Sequence, residues 1–199
     1  DITARYSMLC QSLGIEGWSR LKVVELRALK RPLAQALAFA LAFLVLVNTF
    51  FFRLSGVHGS SMYDTLEEGD QLILQVIGYR EPQRGDIIVC TSDAFGGEAL
   101  VKRVIAVAGD TLDIDGNGNV VLNGETLYEP YIYETIRSEK RGNQSYPVTV
   151  SEGCLFVMGD NRNGSTDSRY TEVGQISCRR VIGKALFRIW PLNKLGGVS

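Results

Sequence analysis

From Leu33 to Phe52 the chain runs for twenty residues without a charge, LAQALAFALAFLVLVNTFFF, apolar on every side of a helix. At about 1.5 Å per residue such a helix reaches ~30 Å, the hydrocarbon thickness of a bilayer. A single domain seldom hides a helix that is apolar all round, so the run reads as a membrane span. Gln35 and Asn48 lie near its ends, where polar groups meet headgroups. A cleaved secretory signal has a shorter apolar region, about 7–15 residues, closing on a small-x-small site. Here the run ends Phe-Phe-Arg-Leu, which predicts an uncleaved signal anchor. Pro32 fits the first turn of that helix, where its missing N–H costs nothing. Upstream, Ser19–Lys30 reads as an amphipathic helix on the inner leaflet, with Leu21, Val24 and Leu29 as its apolar side.

Beyond the span the pattern changes to short aliphatic runs separated by turn residues. Gln71–Ile77, Asp86–Cys90, Leu100–Val107, Thr111–Ile114, Asn119–Leu122, Tyr146–Val150 and Leu155–Met158 are predicted strands. Asp115-Gly116-Asn117-Gly118, Asn123-Gly124 and Asn163-Gly164 punctuate them. The polar stretch Glu134–Ser145 reads as a loop.

Charge orients this layout. Arg20, Lys22, Arg27, Lys30 and Arg31 precede the span and Arg53 alone follows it, so the N-terminus is expected in the cytoplasm and residues 54–199 outside. A formal net charge of −1 over 199 residues argues against a nucleic-acid binder. The lone histidine, His58, excludes a multi-His metal site, and four cysteines without CxxC spacing exclude a zinc ribbon. Cys10, Cys90, Cys154 and Cys178 read most simply as free thiols, a Cys154–Cys178 bridge being the alternative. A start at Asp1 rather than Met reads as a piece of a longer chain.

With one histidine, a serine nucleophile needs another base. A lysine can serve when burial destabilises its charged form. In ALVKRVIAVAGD, alternation puts Leu100, Lys102, Val104 and Ala106 on one strand face and Val101, Arg103 and Ile105 on the other. Three blocks then stand in order after the span: GSSMYDTL at 59–66, VKR and GD within 101–110, and GDNRNGSTDSR at 159–169. Together with PQRGDIIV (82–89), NGETLYEPYI (123–132) and VIGKALFRIWP (181–191), they resemble the bacterial type I signal peptidases over about residues 20–191.

That resemblance implies a membrane-bound serine endopeptidase that removes signal peptides from exported preproteins after small-x-small (Ala-x-Ala) sites. It implies a mainly β fold, antiparallel sheets forming a partly open barrel, with one N-terminal transmembrane helix. The expected division is a cytoplasmic segment 1–31, an anchor 32–53 and a catalytic domain 54–199, with its core at about 54–106 and 153–190 and a β insertion at about 107–152. Ser61 would be the nucleophile and Lys102 its base. Ser165 would hydrogen-bond the lysine amine, and Asp167 and Arg169 would pair behind it. Asp160, Asn161 and Arg162 would hold the same loop. The Ser61 N–H would meet the oxyanion, with Gly59 standing where some relatives carry a serine hydroxyl, Ser60 beside it, and Met62 a candidate substrate contact. The partners implied are signal peptides and the lipid bilayer, with no cofactor, metal or nucleic acid.

Three departures stand out: Asp64 replaces the usual proline and is expected to face solvent, GLPGD reads Ala106-Val107-Ala108-Gly109-Asp110, and Gly164 before Ser165 is expected to loosen the loop. The competing readings are a self-cleaving Ser-Lys repressor-type protease and a non-catalytic membrane-anchored β module. A Ser61–His58 pair lacks an acidic partner. An aspartic-protease pairing of Asp64 and Asp110 lacks the small residue after threonine.

Overall fold

A computed structural model of the chain describes residue 5, residues 8–9 and 11–14, and residues 26–198, apart from the side chains of 26–30 and 47–50. Cys10 and the Ser19–Glu25 part of the expected amphipathic helix lie outside the described residues. The chain divides into two compact units, Asp1–Thr49 and Phe50–Ser199.

The first unit contains nearly all of helix α1, Leu26–Phe51. Pro32 is its seventh residue, inside the helix and not in its first turn. Leu-Arg-Ala-Leu-Lys-Arg upstream are strong helix formers and extend the helix past the proline. The side chains of 31–46 are all exposed, among them Leu33, Leu37, Phe39, Leu41 and Phe43. Among the described residues no helix is long and apolar enough to cross a membrane. The uncharged run continues past residue 46 into side chains outside the described set.

The second unit is built of antiparallel strands. Four come first: β1 Phe52–Gly56, β2 Gln71–Gln75, β3 Ile87–Thr91 and β4 Ala99–Val107. Four short ones follow: β5 Thr111–Ile114, β6 Val120–Leu122, β7 Glu125–Thr126 and β8 Val148–Thr149. The last four are β9 Cys154–Met158, β10 Ile176–Ser177, β11 Val181–Trp190 and β12 Gly196–Gly197. The first and last groups make one eight-stranded sheet in the order β1-β2-β11-β3-β4-β9-β10, with β12 paired to β11. The middle group makes a second sheet, β7-β6-β5-β8.

Two differences from the expected elements matter for the site. Phe52 begins β1 and does not end the helix, because Phe52–Gly56 pairs in register with Gln75–Gln71. The ten-residue β11 was not among the expected strands. Its Lys184 and Arg188 break an apolar reading, yet they are paired with Asp86 and with Asp70.

The large sheet is strongly curled. In a flat sheet β1 and β4, four steps apart, would stand about 19 Å apart. Here Leu54–Gly56 and Ala99–Lys102 line a single cavity. One apolar cluster holds Val57, Met62, Leu66, Leu72, Leu74, Ile87, Val89 and Ala185. Another holds Ile88, Cys90, Val104, Leu155, Val157 and Ile176. A third joins the two sheets through Ile105, Ala106, Leu112, Ile114, Val120, Phe156 and Met158. Strict alternation on β4 fails at its end. The register against β9 shifts between Val104 and Ala106, a bulge that sends Ile105 and Ala106 into the same cluster.

Candidate active site

Ser61 sits in a tight turn after β1. The Tyr63 N–H donates to Ser60 O at 3.1 Å and the Leu66 N–H to Met62 O at 2.8 Å. Met62 and Leu66 anchor that turn in the core, 1% and 0% exposed. Met62 therefore faces the interior and offers no side chain to a substrate, a correction to its expected role. Thr65 ties the turn down from two sides: its hydroxyl donates to Asp160 Oδ2 at 2.6 Å, and its carbonyl accepts from Arg188 Nη1 at 3.2 Å.

The loop after β9 closes over this turn. The Asn161 N–H donates to Ser61 O at 3.0 Å, and the Asn161 amide donates to Ser60 O at 3.0 Å. Gly159 is required by this approach: a Cβ there would lie 2.3 Å from Ser61 O and 2.4 Å from Ser165 Oγ. Gly164 does not loosen the loop as expected. The place of its Cβ is taken by the Asn161 amide, 2.5 Å away, and its N–H donates to Asn161 Oδ1 at 3.1 Å.

Strand β4 delivers Lys102 to the turn from the other side. Its Nζ donates to Ser61 Oγ at 2.7 Å. The side chain is 3% exposed, between Leu100 and Val104 along the strand and opposite Ile88 on β3. Burial lowers its pKa below the ordinary 10.5. Asp167, Cys90 and Asp160 oppose this by attracting the charge, and Arg169 supports it.

Ser165 does not meet the lysine amine as expected. Its hydroxyl donates to Asp167 Oδ2 at 2.7 Å, and among the described residues Ser61 is the one hydrogen-bond partner of Lys102 Nζ. The hydroxyl proton goes to the carboxylate, the stronger acceptor, and the amine is directed at Ser61 instead. Asp167 also accepts from Arg169 Nε at 2.8 Å and Nη2 at 2.9 Å, and from the Gly159 N–H at 3.0 Å. Burial alone would raise its pKa; the Arg169 fork, with these other donors, holds it below the ordinary carboxylate value.

The role of Arg103 is one that the sequence reading missed. It is 2% exposed and donates from Nε and Nη2 to both oxygens of Asp160, at 2.8 and 2.7 Å. Its guanidinium stacks over Tyr131, 3.9 Å from the ring centre. Arg162 makes a second buried fork onto Glu129. The signal was present: a charge in the middle of an apolar strand must be paired if it is buried.

The remaining candidates sit at the edge. Gly59, Ser60, His58 and Asp64 are exposed, Asp64 as expected. The Ser60 hydroxyl makes no hydrogen bond among the described residues, and the same holds for the Ser61 backbone N–H. Asp110 binds Arg84, Asn123 and the Val107 N–H and does not pair with Asp64. Cys90, Cys154 and Cys178 are free thiols.

A cavity of about 370 Å³ opens beside the Ser61–Lys102 contact, between Leu54–Gly56 and His58 on one side and Val89 and Ala99–Val101 on the other. Each wall offers an unpaired backbone edge. Among the described residues β1 pairs only with β2, and β4 is paired with β9 only from Arg103 onward.

Residues 30–190 match the family of signal peptidases, peptidase S26. The chain is 37% identical over 159 residues to signal peptidase I of Leptolyngbya laminosa, covering 75% of this chain and 74% of that protein. It is 37% identical over 169 residues to the probable signal peptidase I-1 of Synechocystis sp., covering 80% and 82%. It is 34% identical over 168 residues to signal peptidase I of Bacillus amyloliquefaciens, covering 81% and 86%. A crystal structure of a signal peptidase I from Enterococcus faecalis, 34% identical, covers 52% of this chain and 96% of that one, with a TM-score of 0.41. By the extent of these matches, the chain belongs to the signal peptidase I family, peptidase S26.

Proposed function

We propose that this chain is a membrane-anchored serine endopeptidase that removes signal peptides from exported preproteins after small-x-small sites. Ser61 is the nucleophile and Lys102 the general base. The observation that carries the reading is the 2.7 Å contact of Lys102 Nζ with Ser61 Oγ, made by a lysine that is 3% exposed and held toward its neutral form by burial.

In the neutral state the amine accepts the Ser61 proton along that contact while Oγ attacks the scissile carbonyl. The oxyanion forms beside the free N–H of Ser61. Lys102 then gives its proton to the leaving amine, which departs and leaves the acyl-enzyme. Water loses a proton to Lys102 as it attacks the ester, and the proton returns to Ser61 Oγ as the acid leaves. Asp167, Arg169, Ser165 and Asp160 act by position: they hold the loop that presses on Ser61 O. The acyl half of the substrate lies as an extended strand between the free edges of β1 and β4. Aliphatic walls of modest volume favour alanine in that cleft.

The membrane reading rests on the uncharged Leu33–Phe52 run and the uncovered side chains of its described residues 33–46. Residues 1–31 lie in the cytoplasm and 54–199 outside, by the basic flank. In the second unit Leu72 and Leu74 face the core, while Ile73 is flanked by Leu54 and Phe187 on the opposite face. With exposed Trp190, Leu192 and Leu195, these residues supply lipid contacts beyond the anchor. In the Trp18→Phe variant, brominated lipids should quench Trp190 fluorescence. No quenching would remove the docking, though not the chemistry.

The deciding experiment is turnover of an internally quenched Ala-x-Ala peptide by the full chain, abolished in Ser61→Ala. Cleavage confined to the chain itself would favour the repressor-type protease. No cleavage of either kind would favour the non-catalytic module.

A further inference from the structure

We propose that Tyr63 and Tyr133 form the subsite for the substrate residues that follow the scissile bond. The inference rests on the Ser-Lys peptidase reading above. The cavity beside Ser61 is lined by residues 54–56 and 58, by Ser61 itself, and by Val89 and 99–102. It can hold the chain on one side of the cleaved bond. An endopeptidase must also hold the other side, and neither tyrosine belongs to that cavity.

Tyr63 stands two residues past the nucleophile, in the same pinned turn. Its neighbours Met62 and Leu66 are buried, whereas Tyr63 is 40% exposed. Its ring meets that of Tyr133 edge to face, centroids 5.9 Å apart and planes at 60°. Tyr133 is 67% exposed, so the pair is ordered yet left open to solvent. Two large rings held together, one of them in the turn that carries Ser61, offer a rigid apolar wall that loses little entropy when a ligand lands on it.

The placement of Tyr133 is tied to the same loop that holds Ser61. Its segment is docked by the buried Glu129–Arg162 pair, and Arg162 Nε donates to Gly159 O at 3.1 Å. On its other side the Asn163 amide donates to Thr135 O at 2.9 Å, and the Arg137 N–H donates to Asn163 Oδ1 at 2.9 Å. The inserted segment 129–137 and the 159–169 loop therefore place both rings relative to Ser61. Asp64, exposed and without an ion-pair partner among the described residues, adds negative charge next to Tyr63. Aromatic faces beside a carboxylate favour aliphatic, aromatic or Lys/Arg stems in the first two residues of the released chain, and disfavour Asp and Glu.

The test compares two substrates with the same Ala-x-Ala acyl half, using the full chain in detergent micelles. One is a peptide with several residues beyond the bond; the other is a methyl ester with none. In Tyr63→Ala and in Tyr133→Ala, kcat/KM for the peptide should fall about 3- to 10-fold, mainly through KM, and the ester should be unaffected. Tyr63→Phe and Tyr133→Phe keep the ring and should retain peptide activity. Wild-type preference for lysine over glutamate at the first position after the cut should shrink in both alanine variants and in Asp64→Asn. An equal loss on ester and peptide would assign the tyrosines a merely structural part, and no loss on either would remove them from substrate binding; each result overturns the subsite alone. A wild-type chain that hydrolyses neither substrate overturns the peptidase reading and the subsite with it.

Discussion

The two faces of β4 each bury one cation, and the two are handled in opposite ways. Lys102 and Arg103 are adjacent, 3% and 2% exposed. Arg103 receives a full carboxylate, both oxygens of Asp160, and a ring beneath it. Among the described residues Lys102 receives only a serine hydroxyl. A buried guanidinium cannot release its proton and so must be paired; a buried amine can, and without a directly bonded carboxylate its neutral form gains. One strand thus carries a paired cation on one face and, on the other, the lysine proposed as the base. Asp167 lies near enough to favour the charged lysine, but its charge is offset by the Arg169 fork.

The contrast can be broken at either residue. Lys102→Met should abolish peptide hydrolysis, a loss on the order of 10³-fold or more, in steady-state assays. The same variant should melt higher than wild type at neutral pH. Between the lowered folded pKa and the ordinary 10.5, the unfolded chain binds a proton that the folded chain has lost. Stability therefore rises with pH across that window, and the penalty is complete below it. The gain in Tm should accordingly shrink as pH approaches 10.5. Equal gains at every pH would contradict a depressed lysine.

Arg103→Met should act in the other direction. It strands Asp160 in the core and should cost about 3–5 kcal/mol, read as a lower denaturant midpoint and a lower Tm. Activity should fall with it, because Asp160 no longer holds Thr65 and the nucleophile turn. Arg103→Lys cannot reproduce the fork and should fall between the two.

Smaller effects sharpen the electrostatic side. Wild-type activity should rise with pH along a limb set by loss of the Lys102 proton. Asp167→Asn removes a charge that favours protonated Lys102, so the limb should move to lower pH. Arg169→Gln leaves that charge uncompensated and should move it higher. Both variants will also lower the plateau, so the position of the limb, not the rate, is the informative quantity. His58→Ala should change the rate least, within about threefold, since His58 is exposed at the cleft rim and touches neither reacting atom.

Much of the strand pattern was legible because the second unit alternates as a half-buried sheet should. Thr111–Ile114 stands where expected, and β2, β3, β4 and β9 lie within two residues of expectation at each end. β11 was hidden by Lys184 and Arg188, whose carboxylate partners lie far away in sequence. β1 was hidden because Phe52 continues an apolar run without a break. The partner of Ser165 could not be read from spacing: GSTDSR places a serine near an aspartate, but only the folded loop has its hydroxyl donate to Asp167 while the amine meets Ser61.

By itself the sequence determined which chemistry was open to this protein. One histidine, no metal-ligand set and a lysine inside an apolar strand leave few ways to activate a serine, and three ordered blocks name the candidates. Those are properties of composition and local period, which the chain carries before it folds. The tertiary structure alone decided which groups meet. The curl of the large sheet brings β1 to β4 and opens a cleft between them, and the loop after β9 presses Ser61 toward Lys102. The bulge at Val104–Ala106 ends the alternation just past the lysine, and the buried Arg162–Glu129 fork tethers the Glu129 segment to the loop after β9. Each of these depends on contacts between residues tens of positions apart, where burial sets the energy of a charge and no local pattern records it.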